Sequence, residues 1–267
     1  ALFTWIKCVG VIIKHTAAER LVIEAGRLAG VQAGGALYPA DRVIVATGGV
    51  SYPQTGSTGD GYRFAKQAGH TVVPAVPSLV PIVTREDYCR EMMGLSLRNV
   101  TLTVRKAGKK KPVFSELGEM LFTHFGVSGP LMLSASSHMT GDLGEYSMEI
   151  DLKPGLTVQQ LDARLLRDFE KFINKDFSNA LDELLPRKLI PVAVRLSGIA
   201  PDTKVNQITR EEREKLISVI KAFPVTPVRF RPVEEAIVTS GGVKVSEVDP
   251  HTMESRLVPG LYFIGEV

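Results

Sequence analysis

The stretch Val43-Ile-Val-Ala-Thr-Gly-Gly-Val-Ser-Tyr-Pro-Gln-Thr-Gly-Ser-Thr-Gly-Asp-Gly-Tyr62 runs an apolar segment into five glycines. The uninterrupted run Asp41–Ala46 predicts a central strand buried on both faces. Ala46-Thr-Gly-Gly49 then turns the chain at a strand end with few Cβ atoms, where α/β sheets receive ligands. Asp60 to Gly69 predicts a helix, with Asp60 capping or charging its first turn and Gly69 placed as a C-terminal stop. The free N–H groups of that helix start favour a phosphate or an electron-rich ring edge. A tight turn with no ligand is the competing reading. Neither GxGxxG nor GxxxxGK[ST] occurs in the sequence.

Working outward, Val9 to Ile13 and Leu21 to Glu24 predict short strands. Prolines 74, 77 and 81 mark a linker or edge strand and a domain boundary. Leu97 to Arg105 alternates, with Val100, Leu102 and Val104 on one side and Asn99, Thr101, Thr103 and Arg105 on the other. With Pro112 to Glu116 and Tyr146 to Leu152 this predicts a small barrel. Helical spacing dominates 153–223, where Thr209-Arg-Glu-Glu212 is a capping-box pattern. Strand texture returns from Glu234. The outer segments match each other better than the middle, which predicts a domain interrupted by an insertion.

Composition sets bounds on function. The chain has 267 residues, 44% hydrophobic and 23% charged, with a formal net charge of +3, which does not by itself call for nucleic acid. Cys8 and Cys89 have no metal-ligand spacing and predict two reduced thiols in a cytoplasmic protein. No apolar run is long enough to span a bilayer. Both termini read as cut through an element.

Several motifs together carry a resemblance. Ala46-Thr-Gly-Gly49, Thr55-Gly-Ser-Thr-Gly-Asp-Gly-Tyr62, Gly94-Leu-Ser-Leu-Arg-Asn-Val100 and Leu121-Phe-Thr-His-Phe-Gly-Val-Ser-Gly-Pro130 are followed by Glu234-Glu-Ala-Ile-Val-Thr-Ser-Gly-Gly-Val243, Asp249 to Ser255, and Gly260 to Val267. In this order they resemble the HI0933-like flavoproteins, from about residue 40 to the end. The resemblance implies an FAD-dependent oxidoreductase, with members similar to aminoacetone oxidases and bile-acid ene-reductases, and NAD(P)H as a possible electron donor. It implies an α/β fold: a partial Rossmann-like FAD-binding domain (1–75 and 234–267) interrupted by a β-barrel insert (76–152 and 224–233) that carries a helical subdomain (153–223). The family's GxGxxG unit is absent, so the chain as given is expected to be truncated, inactive, and to bind FAD weakly or not at all.

Carried over by residue, Thr47, Gly48 and Gly49 would line the FAD site. Ser57, Thr58, Gly59, Asp60 and Gly61 would bring backbone to the cofactor, and Gly241 and Gly242 would lie near its ring. Gly265 and Glu266 would meet the ribityl chain, since a carboxylate accepts hydroxyl hydrogen bonds well. His124 is the catalytic candidate, able to give or take a proton while hydride moves. A histidine that only holds the barrel together is the alternative. Arg98 could pair a substrate carboxylate or be a solvated strand end. Of Glu234 and Glu235, which precede a predicted strand, at most one would face a site by strand alternation. No metal site is expected. The expected partner is a small-molecule substrate, with no nucleic acid and no membrane. The competing class is a non-catalytic barrel-plus-helix module recognising a protein or RNA through Lys109-Lys-Lys111; plain solvation of that hairpin tip is the simpler reading.

Overall fold

The computed structural model describes residues 10–267. Cys8 and Val9 lie outside them, and residues 10–13 form a turn and irregular chain, not the expected strand. The described residues fall into two compact units, one ending at Val76 and resuming over Thr239–Val267, the other Pro77–Val238. The expected second boundary, at 234, falls inside the second unit.

In chain order, β1 (Ala18–Glu24), β2 (Arg27–Ala33) and β3 (Ala36–Pro39) form an antiparallel meander. Next come β4 (Val43–Val45), α1 (Asp60–Gln67) and β5 (Val72–Ser78). The proline-bearing stretch is thus a strand, paired in a two-stranded sheet with β13 on the return. The second unit holds β6 (Ile82–Thr84), α2 (Tyr88–Glu91), β7 (Ser96–Lys106), β8 (Phe114–Phe122), β9 (Gly126–Ser128), α3 (Pro130–Ser137), β10 (Tyr146–Asp151), α4 (Val158–Lys171), α5 (Phe177–Ala180), α6 (Ile190–Ser197), α7 (Arg210–Lys221), β11 (Phe223–Val225) and β12 (Pro227–Phe230). The chain returns through β13 (Val238–Val243) and β14 (Leu261–Phe263).

The second unit corrects the closed-barrel expectation. Its seven strands run β11-β10-β7-β8-β9-β6-β12 in an open hydrogen-bonded order. The two edge strands are consecutive in the chain and separated only by Thr226, so covalent continuity stands where a ladder would close a barrel. Alternation places Val100, Leu102 and Val104 in the core as expected, and the core spreads from this sheet into Leu161, Leu165, Leu216 and Ile220 of the helices. α7 opens with a complete capping box, Thr209 and Glu212 each bonding the other's backbone N–H. α4 opens with another, between Thr157 and Gln160. Each such cap contributes about 1 kcal/mol.

In the first unit, β4 and β14 pair in parallel, with Val43 opposite Leu261 and Val45 opposite Phe263. Val45, Leu261 and Phe263 pack with Phe64 and Ala65 of α1. β4 is shorter than expected and is not buried on both faces, since Ile44 is 60% exposed. Its apolar run came from one buried face and one open face.

Candidate functional site

The parallel pairing brings two distant segments to one strand end. Past β4 stand Thr47, Gly48 and Gly49; past β14 stand Gly265 and Glu266. Much of the close approach at the glycines comes from the chain itself. A Cβ on Gly49 would sit 2.5 Å from Thr239 Oγ1. One on Gly61 would sit 2.4 Å from Thr47 Oγ1 and 2.7 Å from Val267 Cγ1. A Cβ on Gly242 would likewise meet the Val267 carbonyl group, on Gly241 the Pro74 carbonyl oxygen, and on Gly48 the Ser57 hydroxyl. Gly241 and Gly242 lie within β13.

Thr239 organises this region although it was not singled out from sequence. Its Oγ1 accepts the N–H groups of Val50 and Ser51, both at 3.0 Å. With both lone pairs used, its hydroxyl donates to Ser51 Oγ at 2.7 Å. Only the pairing of β13 within this unit brings residue 239 to residue 50, and no local pattern signals that. Tyr62 OH donates to the Glu266 carbonyl at 3.4 Å, and burial, then the Glu266 charge, pushes its phenol up.

Thr47 Oγ1 is buried with no hydrogen-bond partner. Gly265 has φ 80°, with open space where a Cβ would stand, and Glu266 is exposed. Asp60 charges the first turn of α1 as expected but does not cap it. Gly59 is its N-cap, while Asp60 holds Arg63 at 3.0 Å and accepts from Thr58 Oγ1 at 2.9 Å. The Arg63 bond, then Thr58, lowers the Asp60 carboxyl. A helix start carrying its own carboxylate does not favour an added phosphate.

His124 and Arg98 belong to the second unit. His124 is exposed in the β8–β9 turn, closed by Thr123 N–H to Gly126 O at 2.8 Å, with its ring edge-on to Phe125. Arg231 stacks on the same Phe125 at 4.6 Å and pairs Glu235, whose carboxyl that bond lowers. Glu234 and Glu235 occupy a 3-10 turn, so strand alternation does not divide them. Arg98 meets only Glu119, at 3.9 Å with both side chains exposed. A cleft of about 570 Å³ between α5 and α6 is lined by none of the expected site residues.

Among the described residues no group of His, Cys, Asp and Glu side chains could hold a metal, and no helix is long and apolar enough to cross a membrane. Cys89 is buried, which pushes its thiol up to about 11, a value of an inert thiol at neutral pH.

Residues 76–238 match the family model described as HI0933-like protein barrel and H2TH domain. The chain belongs to the HI0933-like family. This HI0933-like chain is 34% identical over 227 residues to the ribosomal RNA dihydrouridine synthase of Escherichia coli, covering 85% of the chain and 54% of that protein. The protein of that name from Haemophilus influenzae is 37% identical, with 84% and 53% covered. The 3-dehydro-bile acid delta(4,6)-reductase of Clostridium scindens is 30% identical, with 89% and 58% covered. The chain thus spans just over half the length of these relatives. Two of them are named for ribosomal RNA, which overturns the expectation that nucleic acid has no place among the partners. Mild net charge and a Lys109–Lys111 tip without interleaved aromatics were the basis of that expectation, and neither reports how cations cluster across the folded surface.

Proposed function

We propose that this HI0933-like chain is part of a flavin-dependent reductase that saturates a carbon–carbon double bond, with a uracil ring of ribosomal RNA as its substrate. The observation that carries the cofactor half is the parallel β4–β14 register, which sets Thr47 and Glu266 at one strand end. Ligand fit is supported by the partnerless Thr47 hydroxyl, the open side of Gly265 and the exposed Glu266 carboxylate. A flavin dinucleotide carries a polyhydroxyl chain suited to these groups, and its bound ring would supply the hydride.

Within that reading, the Glu266 carboxylate accepts a ribityl hydroxyl, and Thr47 Oγ1 gains the partner it lacks. Thr239 holds the backbone of Val50 and Ser51 in place beneath them. His124, exposed in the β8–β9 turn of the second unit, is the candidate proton donor to the ring carbon that does not receive hydride. The names of all three relatives share this chemistry: making dihydrouridine and reducing a delta(4,6) system both add hydrogen across carbon–carbon double bonds. The higher identities go with the RNA substrate. Nothing in the site or in the relatives' names supports a nicotinamide donor.

The test is dihydrouridine in ribosomal RNA, read by mass spectrometry after digestion. The protein at its full natural length is expressed in a bacterial host whose own ribosomal RNA dihydrouridine synthase is deleted. Expression restores the modification, and Glu266→Gln lowers it. Unmodified RNA, together with reduction of an unsaturated bile acid by the purified protein, would overturn the RNA assignment.

A further inference from the structure

Three observations coincide where the start of β7 meets the end of β10, in the interior of the second unit's sheet. The first is a β-bulge. Leu97 pairs with Met120 and Val100 with Gly118, so Arg98 and Asn99 together oppose Glu119. Asn99 takes φ 55°, uncommon for a residue with a side chain, and bulges re-aim the side chains they carry. Leu97 and Val100, three residues apart, both stay buried, while Arg98 and Asn99 are both exposed.

The second is a cavity of about 90 Å³ whose lining includes Ser96, Arg98, Lys153, Leu185, Pro186 and Leu189. It suits one small tetrahedral group and is too small for a nucleobase with its sugar.

The third is Lys153, half-buried and without a carboxylate partner among the described residues. Asp151, two residues earlier, is committed to Lys221 Nζ at 2.5 Å and to the Lys153 backbone N–H at 2.9 Å. Neighbouring Arg164 is held by both carboxylate oxygens of Asp168, at 2.9 and 2.8 Å. Burial, then the Arg164 charge, holds the Lys153 ammonium below the usual lysine range. A partly desolvated cation without a carboxylate partner costs the fold some stability and gains from an anion brought to it.

We propose that Arg98 and Lys153 form an oxyanion site that takes a phosphate group of the substrate, here a backbone phosphate of RNA. The RNA source rests on the proposed function above; the site does not. A guanidinium offers a fork to two phosphate oxygens and an ammonium offers a point charge. The Leu185, Pro186 and Leu189 wall lowers the local dielectric and strengthens both. Glu119, exposed and 3.9 Å from Arg98, holds it too weakly to compete.

The experiment compares the full chain with Lys153→Met and Arg98→Gln, using two probes. One is a fluorescein-labelled 20-nucleotide oligouridylate followed by anisotropy as salt is raised. The other is inorganic phosphate followed by ³¹P line broadening. Each variant weakens oligouridylate binding about three- to tenfold and reduces the salt slope by about one. Both variants also abolish the phosphate broadening. Lys153→Met keeps or raises the melting temperature, because it removes a desolvated charge, so lost binding is not lost folding. Broadening lost with oligouridylate affinity unchanged, or with no oligouridylate binding by the parent, keeps the site and overturns its RNA source in favour of a free phosphorylated ligand. Both probes unchanged in both variants overturns the site, and if the parent binds RNA in that case, the RNA reading stands without it.

Discussion

His70 shows how a single buried polar side chain is decided by its neighbours. Ser255 Oγ accepts N–H bonds from Leu257 at 3.1 Å and Val258 at 2.9 Å, so its hydroxyl proton points to His70 Nε2 at 2.7 Å. Nδ1 therefore carries the imidazole proton and faces Glu247 Oε2 at 3.3 Å. Burial lowers the His70 value, opposed by Glu247; Lys244, 4.0 Å from that carboxylate, is the other charge at the cluster. The folded protein holds a neutral His70, and the unfolded chain protonates it first on acidification. Stability is thus fully present above the unfolded histidine pKa, about 6.5, and falls as pH drops from there toward the folded value, by at most about 1.4 kcal/mol per pH unit. Chemical denaturation between pH 5 and 7 should show this slope in the parent and lose it in His70→Gln; equal slopes would remove His70 from the account. At Thr47 the partnerless hydroxyl makes the opposite case. Thr47→Val should leave the unfolding free energy from chemical denaturation unchanged or raised, whereas a loss of more than about 1 kcal/mol would mean that the hydroxyl has a partner. Gly61→Ala should cost about 1–3 kcal/mol in chemical denaturation, because its Cβ meets both Thr47 and Val267.

At the scale of elements, legibility in the sequence followed locality. The α7 capping box and the glycine just past α1 are read from residues within one turn, and both stand where expected. Thr209→Ala should cost about 1 kcal/mol by thermal unfolding, and no change would mean the cap is redundant. The β7 alternation was legible from Val100 onward but not across Arg98–Asn99, since nothing in Ser96-Leu-Arg-Asn-Val100 announces a left-handed asparagine. Apolar runs misled at β4, where Ile44 faces outward; the prolines of β5 did not, since Pro74 and Pro77 sit in an edge strand with a single paired neighbour, one of the two readings they allowed. Of the candidate site, the strand-end residues were expected from the resemblance, since the glycines alone fit a ligand-free turn equally well; the parallel β4–β14 pairing sets them at one strand end. Thr239, Tyr62 and Lys153 were not legible, because their roles come from contacts far apart in sequence.

At the scale of the molecule, each compact unit has its own apolar core. One joins residues from Ile82 to Val225; the other joins Leu21 to Ala68 with Val243 to Phe263. The second unit is a single continuous segment whose two ends are tied, Ile237 N–H donating to Leu79 O at 3.1 Å. A polypeptide of residues 77–238 should therefore fold alone with a cooperative thermal transition, as expected of a domain with its own core. A non-cooperative melt with weak amide dispersion would show that it depends on the rest of the chain. The first unit depends on the return of β14 to β4, and the proposed cofactor site depends on the same return. The most direct measurement is an FAD titration of the protein at its full natural length, followed by flavin fluorescence, for the parent, Thr47→Val and Glu266→Gln. The account predicts that each substitution weakens FAD binding about tenfold while the apoprotein melts at the parent's temperature. Parent-like FAD affinity in both variants would contradict it.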